Sequence, residues 1–237
     1  MKVFQFLTFV LMCAAAPAWG QQKEGQHFAP GSVEQLRALT MFKSVPRLNE
    51  LHRAALAGKE RYHLLVDKSN FKALGLAKAS DALSAQLGTP SKDYMVRLDG
   101  LKTYKSGDDP AKLLTDTGLV HYPLVYANKA VSTVTLAPME NRWEVVSIGD
   151  ASRSRERSEA RVELLKALRE ERDQGFLVRI PAFNLEFEGA YDNAGKLQLV
   201  SINNAPEWGL RTGSPVAAET LFLKLVPAAR RFEDVPH

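Results

Sequence analysis

The segment Leu119–Asp150, LVHYPLVYANKAVSTVTLAPMENRWEVVSIGD, constrains the fold of this chain more than any other. It reads as three extended segments separated by turns and followed by a charged helix. A related plan recurs downstream. Trp143-Glu-Val-Val-Ser-Ile148 and Leu197-Gln-Leu-Val-Ser-Ile202 share the order apolar–polar–apolar–Val-Ser-Ile at an offset of 54 residues. At that offset Glu140–Arg142 lies opposite Ala194–Lys196. Val131, Thr133 and Ala137 lie opposite Leu185, Phe187 and Tyr191, an alternating set with one face inward. Val145 and Val146 are adjacent apolar residues, as are Leu199 and Val200, so this strand carries either a bulge or cover on both faces. The pattern predicts an α+β fold: an antiparallel sheet with helices packed mainly on one face, built from two tandem ββ(β)α units plus an N-terminal helical hairpin.

Residues 1–20 have the layout of a secretory signal peptide: Lys2, the apolar run VFQFLTFVLMCAAA, then small residues at Ala18 and Gly20. Pro17 cuts the run short of the ~20 apolar residues that a spanning helix needs. Met12 before Cys13 is too large for a lipid-modification site. Periplasmic export is the expectation, with secretion the alternative, and no transmembrane segment is expected once the leader is gone. Loss of Lys2 leaves 30 basic against 27 acidic side chains, too mild an excess for a nucleic-acid partner. The leader also takes Cys13, the one cysteine, so no disulfide framework is available.

After a flexible arm at 21–31, Ser32 and Gln35 form a capping-box pattern ahead of Val33, Leu36 and Leu39. A second helix is expected from Ser44-Val45-Pro46 through Leu48, Leu51 and Ala55, with Gly58 as its stop. Tyr62–Val66 suits strand or helix. A further helix is expected from Asp67-Lys68-Ser69 to Leu87. Asp99-Gly100 predicts a type I′ turn between strands 93–98 and 101–105, and a short helix begins near Pro110. The chain thus divides into a helix-rich part, 32–118, with a β-hairpin at 93–105, and a duplicated sheet-and-helix part, 119–233, the two forming one compact body. Two helices leave the repeated units: an arginine-rich one after Asp150, and an apolar one after Ser214-Pro215 that Pro227 ends or kinks.

Motifs for chemistry are sparse. The histidines His27, His52, His63, His121 and His237 share no motif, and no H-E-x-x-H, C-x-x-C, G-x-S-x-G or P-loop pattern occurs. No metal or cofactor is therefore expected. His121 reads as a strand-edge residue. Glu186 and Glu188 share one strand face and are the candidate acids for glycoside-type hydrolysis. Against that stands a solvated sheet face. Two stretches are candidate binding surfaces. Arg153, Arg155, Arg157 and Arg161 crowd a helix start, where they oppose the helix dipole unless an anion or carboxylate offsets them. Glu156, Glu159 and Glu163 offer a local offset. The second stretch, Asn203–Gly213, places Asn204, Glu207, Trp208 and Arg211 in a glycine-bounded loop, where Trp and Arg are the usual anchors. The alternative is that Trp208 caps the core.

These readings lead to an exported, non-enzymatic envelope protein that binds a protein or peptide partner as accessory factor, inhibitor or adaptor. The alternatives are an envelope hydrolase acting on a glycan or peptide polymer, and a carrier of an apolar small molecule.

Overall fold

The computed structural model describes residues 29–169 and 175–232. The leader at 1–20, most of the arm at 21–31, and Cys13, His27 and His237 lie outside the described residues. The strands are β1 (Gln86–Leu87), β2 (Ser91–Val96), β3 (Leu114–Tyr126), β4 (Lys129–Met139), β5 (Arg142–Gly149), β6 (Phe176–Ile180), β7 (Leu185–Tyr191), β8 (Leu197–Ser201) and β9 (Pro215–Ala217). The helices are α1 (Val33–Ala38), α2 (Leu48–Leu65), α3 (Leu98–Thr103), α4 (Ala151–Leu168) and α5 (Ala218–Ala229). The strands form one mixed sheet in the order β5-β4-β3-β2-β6-β7-β8-β9, with β1 pairing beside β3. The central pair β2–β6 is parallel and the other pairings are antiparallel. The class is α+β.

Strand alternation assigns the two faces. Val96, Val178, Ile180, Phe187 and Leu199 pack against α3 and α5 at one end of the sheet. At the other end of this face, Val120, Tyr122, Leu124, Val134 and Leu136 pack against α1 and α2. Among the described residues, the opposite face is covered by α4, whose Ala160 and Leu164 meet Leu177, Ala190, Val200 and Ile202. Because α4 touches β4 as well as β7, β8 and β9, it runs across the strands. The helical crossover from β5 to β6 is what allows those non-adjacent strands, and the parallel pair, to share one sheet.

The doubled apolar pairs have different outcomes. In β5 the ladder shifts between Thr135↔Ser147 and Leu136↔Val145, which makes Val146 the extra, half-exposed residue of a bulge. In β8, Leu199 and Val200 are both buried, one under α5 and one under α4. Four strands precede a helix in each half, β2-β3-β4-β5-α4 with α3 interposed after β2, and then β6-β7-β8-β9-α5. That order sets β4 against β8, whereas the 54-residue offset sets β4–β5 against β7–β8, so the two do not coincide as tandem ββ(β)α units.

Three local expectations are corrected. There is no hairpin at 93–105: Asp99 and Gly100 lie inside α3, neither with positive φ, and β2 finds its partners in β3 and β6. The three-residue spacing of Leu98, Leu101 and Tyr104, turned toward the α5 core, overrides the turn signal. The helix expected over 67–87 is a series of turns, then a 3₁₀ segment at Ala79–Ser84 and the short β1. Asp67 Oδ1 accepts from the backbone N–H groups of Ser69 and Asn70 and from the Ser69 hydroxyl, and Gly75 has a φ of +75°, so side-chain bonds and a left-handed residue displace the helix. Finally, α2 continues through Gly58 to Leu65. Gly58 marks a close contact instead of a stop. The α1 cap forms as read, with Ser32 Oγ accepting from Gln35 N–H, but Gln35 Oε1 reaches the N–H of Gly31. With six residues, α1 is a short brace on α2, linked to it through the 3₁₀ turn Thr40–Phe42.

The buried Tyr122 hydroxyl has no hydrogen-bond partner, and burial pushes its pKa up. An unmet buried hydroxyl is costly, so Tyr122→Phe is expected to leave stability unchanged or raise it by about 1 kcal/mol. Urea unfolding at pH 7 checks this; a loss of similar size would mean that the hydroxyl is satisfied.

Candidate functional site

The polar part of the sheet face beneath α4 holds the densest set of chemically capable side chains among the described residues. Asp150, with φ 55°, starts the helix and caps it by accepting from the N–H of Arg153. Residues four apart then share a face, so Arg153 and Arg157 point to the sheet together. Below them lie Glu186 and Glu188, two apart on β7. Alternate strand residues are spaced about 6.6 Å apart, and helix residues four apart are about 6 Å along the axis. The two periods nearly match, and each arginine meets one glutamate. Arg153 reaches Glu186 at 2.9 Å, and Arg157 reaches Glu188 at 3.2 Å while donating to Ser91 Oγ at 2.8 Å. Arg153 also holds Glu156 of its own helix at 3.1 Å. Hydrogen bonding to these two carboxylates raises the Arg153 pKa in spite of burial. These carboxylates offset the charge that opposes the helix dipole.

Asp93 of β2 forms the second centre. Its carboxylate is 1% exposed and takes Arg179 through both oxygens, at 3.0 and 2.7 Å. His121 Nε2 lies 3.2 Å from Asp93 Oδ2, and His121 Nδ1 lies 3.0 Å from Thr135 Oγ1. A carboxylate held by a guanidinium only accepts, so Nε2 carries the imidazole proton and Nδ1 accepts from the Thr135 hydroxyl. Burial holds the His121 pKa below its ordinary value, and Arg157 and Arg179 add to this, opposed by Asp93. The imidazole is therefore neutral at pH 7. Nearby, Ser154 donates to the Asp150 carbonyl at 2.8 Å, and Thr133 and Ser154 hydroxyls meet at 2.6 Å. With the Ser154 proton spent on Asp150, Thr133 is the donor.

The depressed pKa makes a signed prediction. As pH falls, the unfolded chain binds a proton at His121 near the ordinary imidazole value of 6.5, before the folded chain does. Stability contributed by neutral His121 is complete above that value and is lost as pH falls from about 6.5 toward the folded pKa. The pH dependence of unfolding free energy is expected to flatten in that window in His121→Gln, which keeps a polar side chain and does not titrate. An unchanged slope would place the titration elsewhere.

Two cavities flank α4, and His121, Thr133, Ser154 and Arg157 line both. One, of about 240 Å³, adds Asp93, Thr135, Arg153, Arg179 and Glu186. The other, of about 150 Å³, adds Ser91, Arg161 and Glu188. Glu188 is 1% exposed, and its Oε2 has no hydrogen-bond partner. Volumes of this size suit a side chain or a chain end better than a drug-sized ligand. The larger cavity presents charges of both signs with hydroxyls between them, a lining suited to charged, hydrogen-bonding groups. Among the described residues no group of three His, Cys, Asp or Glu could hold a metal ion. None of their helices is long and apolar enough to cross a membrane.

The two arginines and the two glutamates that the sequence suggested separately thus meet in one site. Arg155, two residues out of phase, lies on another side of α4 near Gly75 and the β3–β4 turn. Ala205, Trp208 and Leu210 of the Asn203–Gly213 loop belong to the opposite face. Trp208 packs edge-on against Phe183 at 5.1 Å beside the α5 core. Asn204 Oδ1 accepts from the N–H of Thr212, and Lys224 donates to the Trp208 carbonyl. Glu207 and Arg211 are exposed. The sequence offers no reading of Asp93, Thr135 and Arg179 as site residues, and its reading of His121 as a strand-edge residue is corrected, because β3 lies between β2 and β4. Their signal is the polar residues alternating with core apolar ones in β2, β3, β4 and β6, which looks like a wet face until α4 is known to cover it. Comparison of the chain with protein-family models, curated proteins and solved structures returns no match.

Proposed function

We propose that this is an exported, non-enzymatic binding protein of the cell envelope that takes a charged segment of a protein or peptide partner into the cleft beneath α4. One observation carries the reading. Arg153 and Arg179, at 30% and 34% side-chain exposure, line the 240 Å³ cavity with their guanidinium groups already oriented by Glu186 and Asp93. Holding a fork-shaped donor in place before binding lowers the entropy that recognition costs. The leader-like residues 1–20 support export to the periplasm.

The test is fluorescence anisotropy with a hexapeptide library varied in charge. Wild type is expected to select peptides that carry a carboxylate. Arg153→Gln is expected to weaken them about tenfold or more, the worth of a charge-assisted hydrogen bond. Glu186 is partly exposed and can be hydrated in that variant, so folding should survive. Equal affinities for the two proteins, or no selection by charge, would overturn the reading.

The Asp93–His121–Thr135 chain favours hydrolysis as a second reading, because it sets an acid, a neutral base and a hydroxyl in line. The glutamates serve that reading poorly: each gives its charge to an arginine, and Glu188 is enclosed. Thr135 lies inside an interior strand whose ladder uses the neighbouring backbone N–H groups, so Arg153 would have to stabilise the developing oxyanion. Turnover of nitrophenyl esters by wild type and its absence in Thr135→Val would establish this reading; no turnover by wild type removes it.

A further inference from the structure

A cavity of different chemistry lies about three helical turns further along α4. Phe176 opens β6 and Tyr191 closes β7, with their rings 5.6 Å apart; Tyr94 of β2 meets Phe176 edge-on at 5.1 Å and 71°. These rings, with Leu165 and Leu168 of α4, line a cavity of about 450 Å³. That volume falls in the range of small-molecule sites, about 300–1,000 Å³. Tyr191, a large aromatic at the rim, keeps 45% of its surface exposed. Asp192 is the single charged residue among the described residues that line the space. Its carboxylate stays ionised at neutral pH, held below the usual range by hydrogen bonds from the N–H of Lys196 and the Gln198 amide. Among the described residues, aromatic faces and one negative charge in a lining that is otherwise apolar except for Thr40 match a cation with an apolar coat.

The Asp192 oxygens are already taken. Oδ1 accepts from the N–H groups of Ala194 and Lys196, and Oδ2 accepts from the Gln198 amide. A primary ammonium would compete for those acceptors. A quaternary ammonium has no N–H to satisfy and uses only the field of the carboxylate and the ring faces. We propose that this pocket binds a trimethylammonium group, seated against Tyr94, Phe176 and Tyr191 with Asp192 as its counter-charge. The site is separate from the cleft beneath α4 and does not depend on the function proposed for it.

The experiment is an NMR titration of the full chain with choline and, separately, with its neutral carbon isostere 3,3-dimethylbutan-1-ol. Choline is expected to shift the ring signals of Tyr94, Phe176 and Tyr191 and to bind about tenfold more tightly than the alcohol. Asp192→Asn keeps the turn acceptor at Oδ1 and should remove most of that preference while leaving the alcohol's affinity unchanged. Tyr191→Leu keeps apolar area but loses a ring face, and should weaken choline selectively. Arg153→Gln should change neither affinity. Added binding to phosphatidylcholine vesicles would identify a lipid headgroup as the source; choline binding alone would identify a free solute. Equal affinity for choline and its isostere, or no binding of choline, overturns the proposal.

Discussion

Arg157→Met is expected to destabilise the protein by about 3–5 kcal/mol, because it leaves a buried carboxylate without its cation. The carboxylate is Glu188, 1% exposed, whose Oε1 accepts from Arg157 Nε at 3.2 Å and whose Oε2 has no hydrogen-bond partner. Arg157 is itself 13% exposed, and its second bond, to Ser91 Oγ, would also be lost. The pair as a whole need not be worth this much. Two charges lose hydration when they are buried together, and their attraction returns about what that costs. The expected signature is therefore asymmetric. Glu188→Leu should cost less than Arg157→Met, because arginine can extend its head toward the adjoining cavity and water. The double variant Arg157→Met/Glu188→Leu should recover most of the single loss. Urea unfolding of all four proteins forms the cycle. A double variant as unstable as Arg157→Met would mean that packing by the arginine stem, and not the stranded charge, sets the loss.

The same network shows why its parts were unequally legible in the sequence. Arg153 and Arg157 at helix spacing, and Glu186 and Glu188 at strand spacing, each announce one face of one element. Nothing in either pattern says that the two faces meet, because that depends on α4 crossing from β5 to β6 over the intervening strands. His121 looked like an edge residue because β3 was known only by its own alternation. With β2 and β4 on either side, it is interior and faces α4. Composition points the same way as the local pattern where packing is simple: the stripe Leu48, Leu51, Ala55 does lie on α2, and the doubled apolars of β5 and β8 do mark a bulge and a doubly covered strand. It fails where a short-range signal competes with a distant core. Asp99-Gly100 is a strong turn pair in isolation, yet Leu101 and Tyr104 bury against α5, and that burial decides the conformation. Trp208 illustrates the opposite limit. A tryptophan between glycines has the composition of a recognition loop, and only its contact with Phe183 shows that it closes the end of a core.

Gly58→Leu is expected to cost about 3 kcal/mol, the upper part of the usual range for overpacking, although leucine is a far better helix former than glycine. Local propensity alone would gain about 0.8 kcal/mol at a helix interior position. The sheet reverses the sign. A Cβ at Gly58 would lie 2.3 Å from Val134 Cγ1 and 3.2 Å from both Val134 Cγ2 and Val145 Cγ2. Val134 is fully buried in an interior strand, so it has no empty space to turn into, and α2 must lift from β4 and β5 to make room. Gly58→Ala should show the same conflict in smaller form. It introduces only the clashing carbon, and its propensity gain offsets part of the strain, leaving a net loss of about 1–2 kcal/mol. Val134→Ala alone should lose about 2 kcal/mol by opening a cavity. Combined with Gly58→Ala, the new methyl enters the space that Val134 Cγ1 vacated, so the two losses should fall short of additivity by at least about 1 kcal/mol. Thermal and urea unfolding of the four proteins measure that coupling. Additive losses, or a Gly58→Ala variant more stable than wild type, would show that α2 does not rest on the sheet through Gly58.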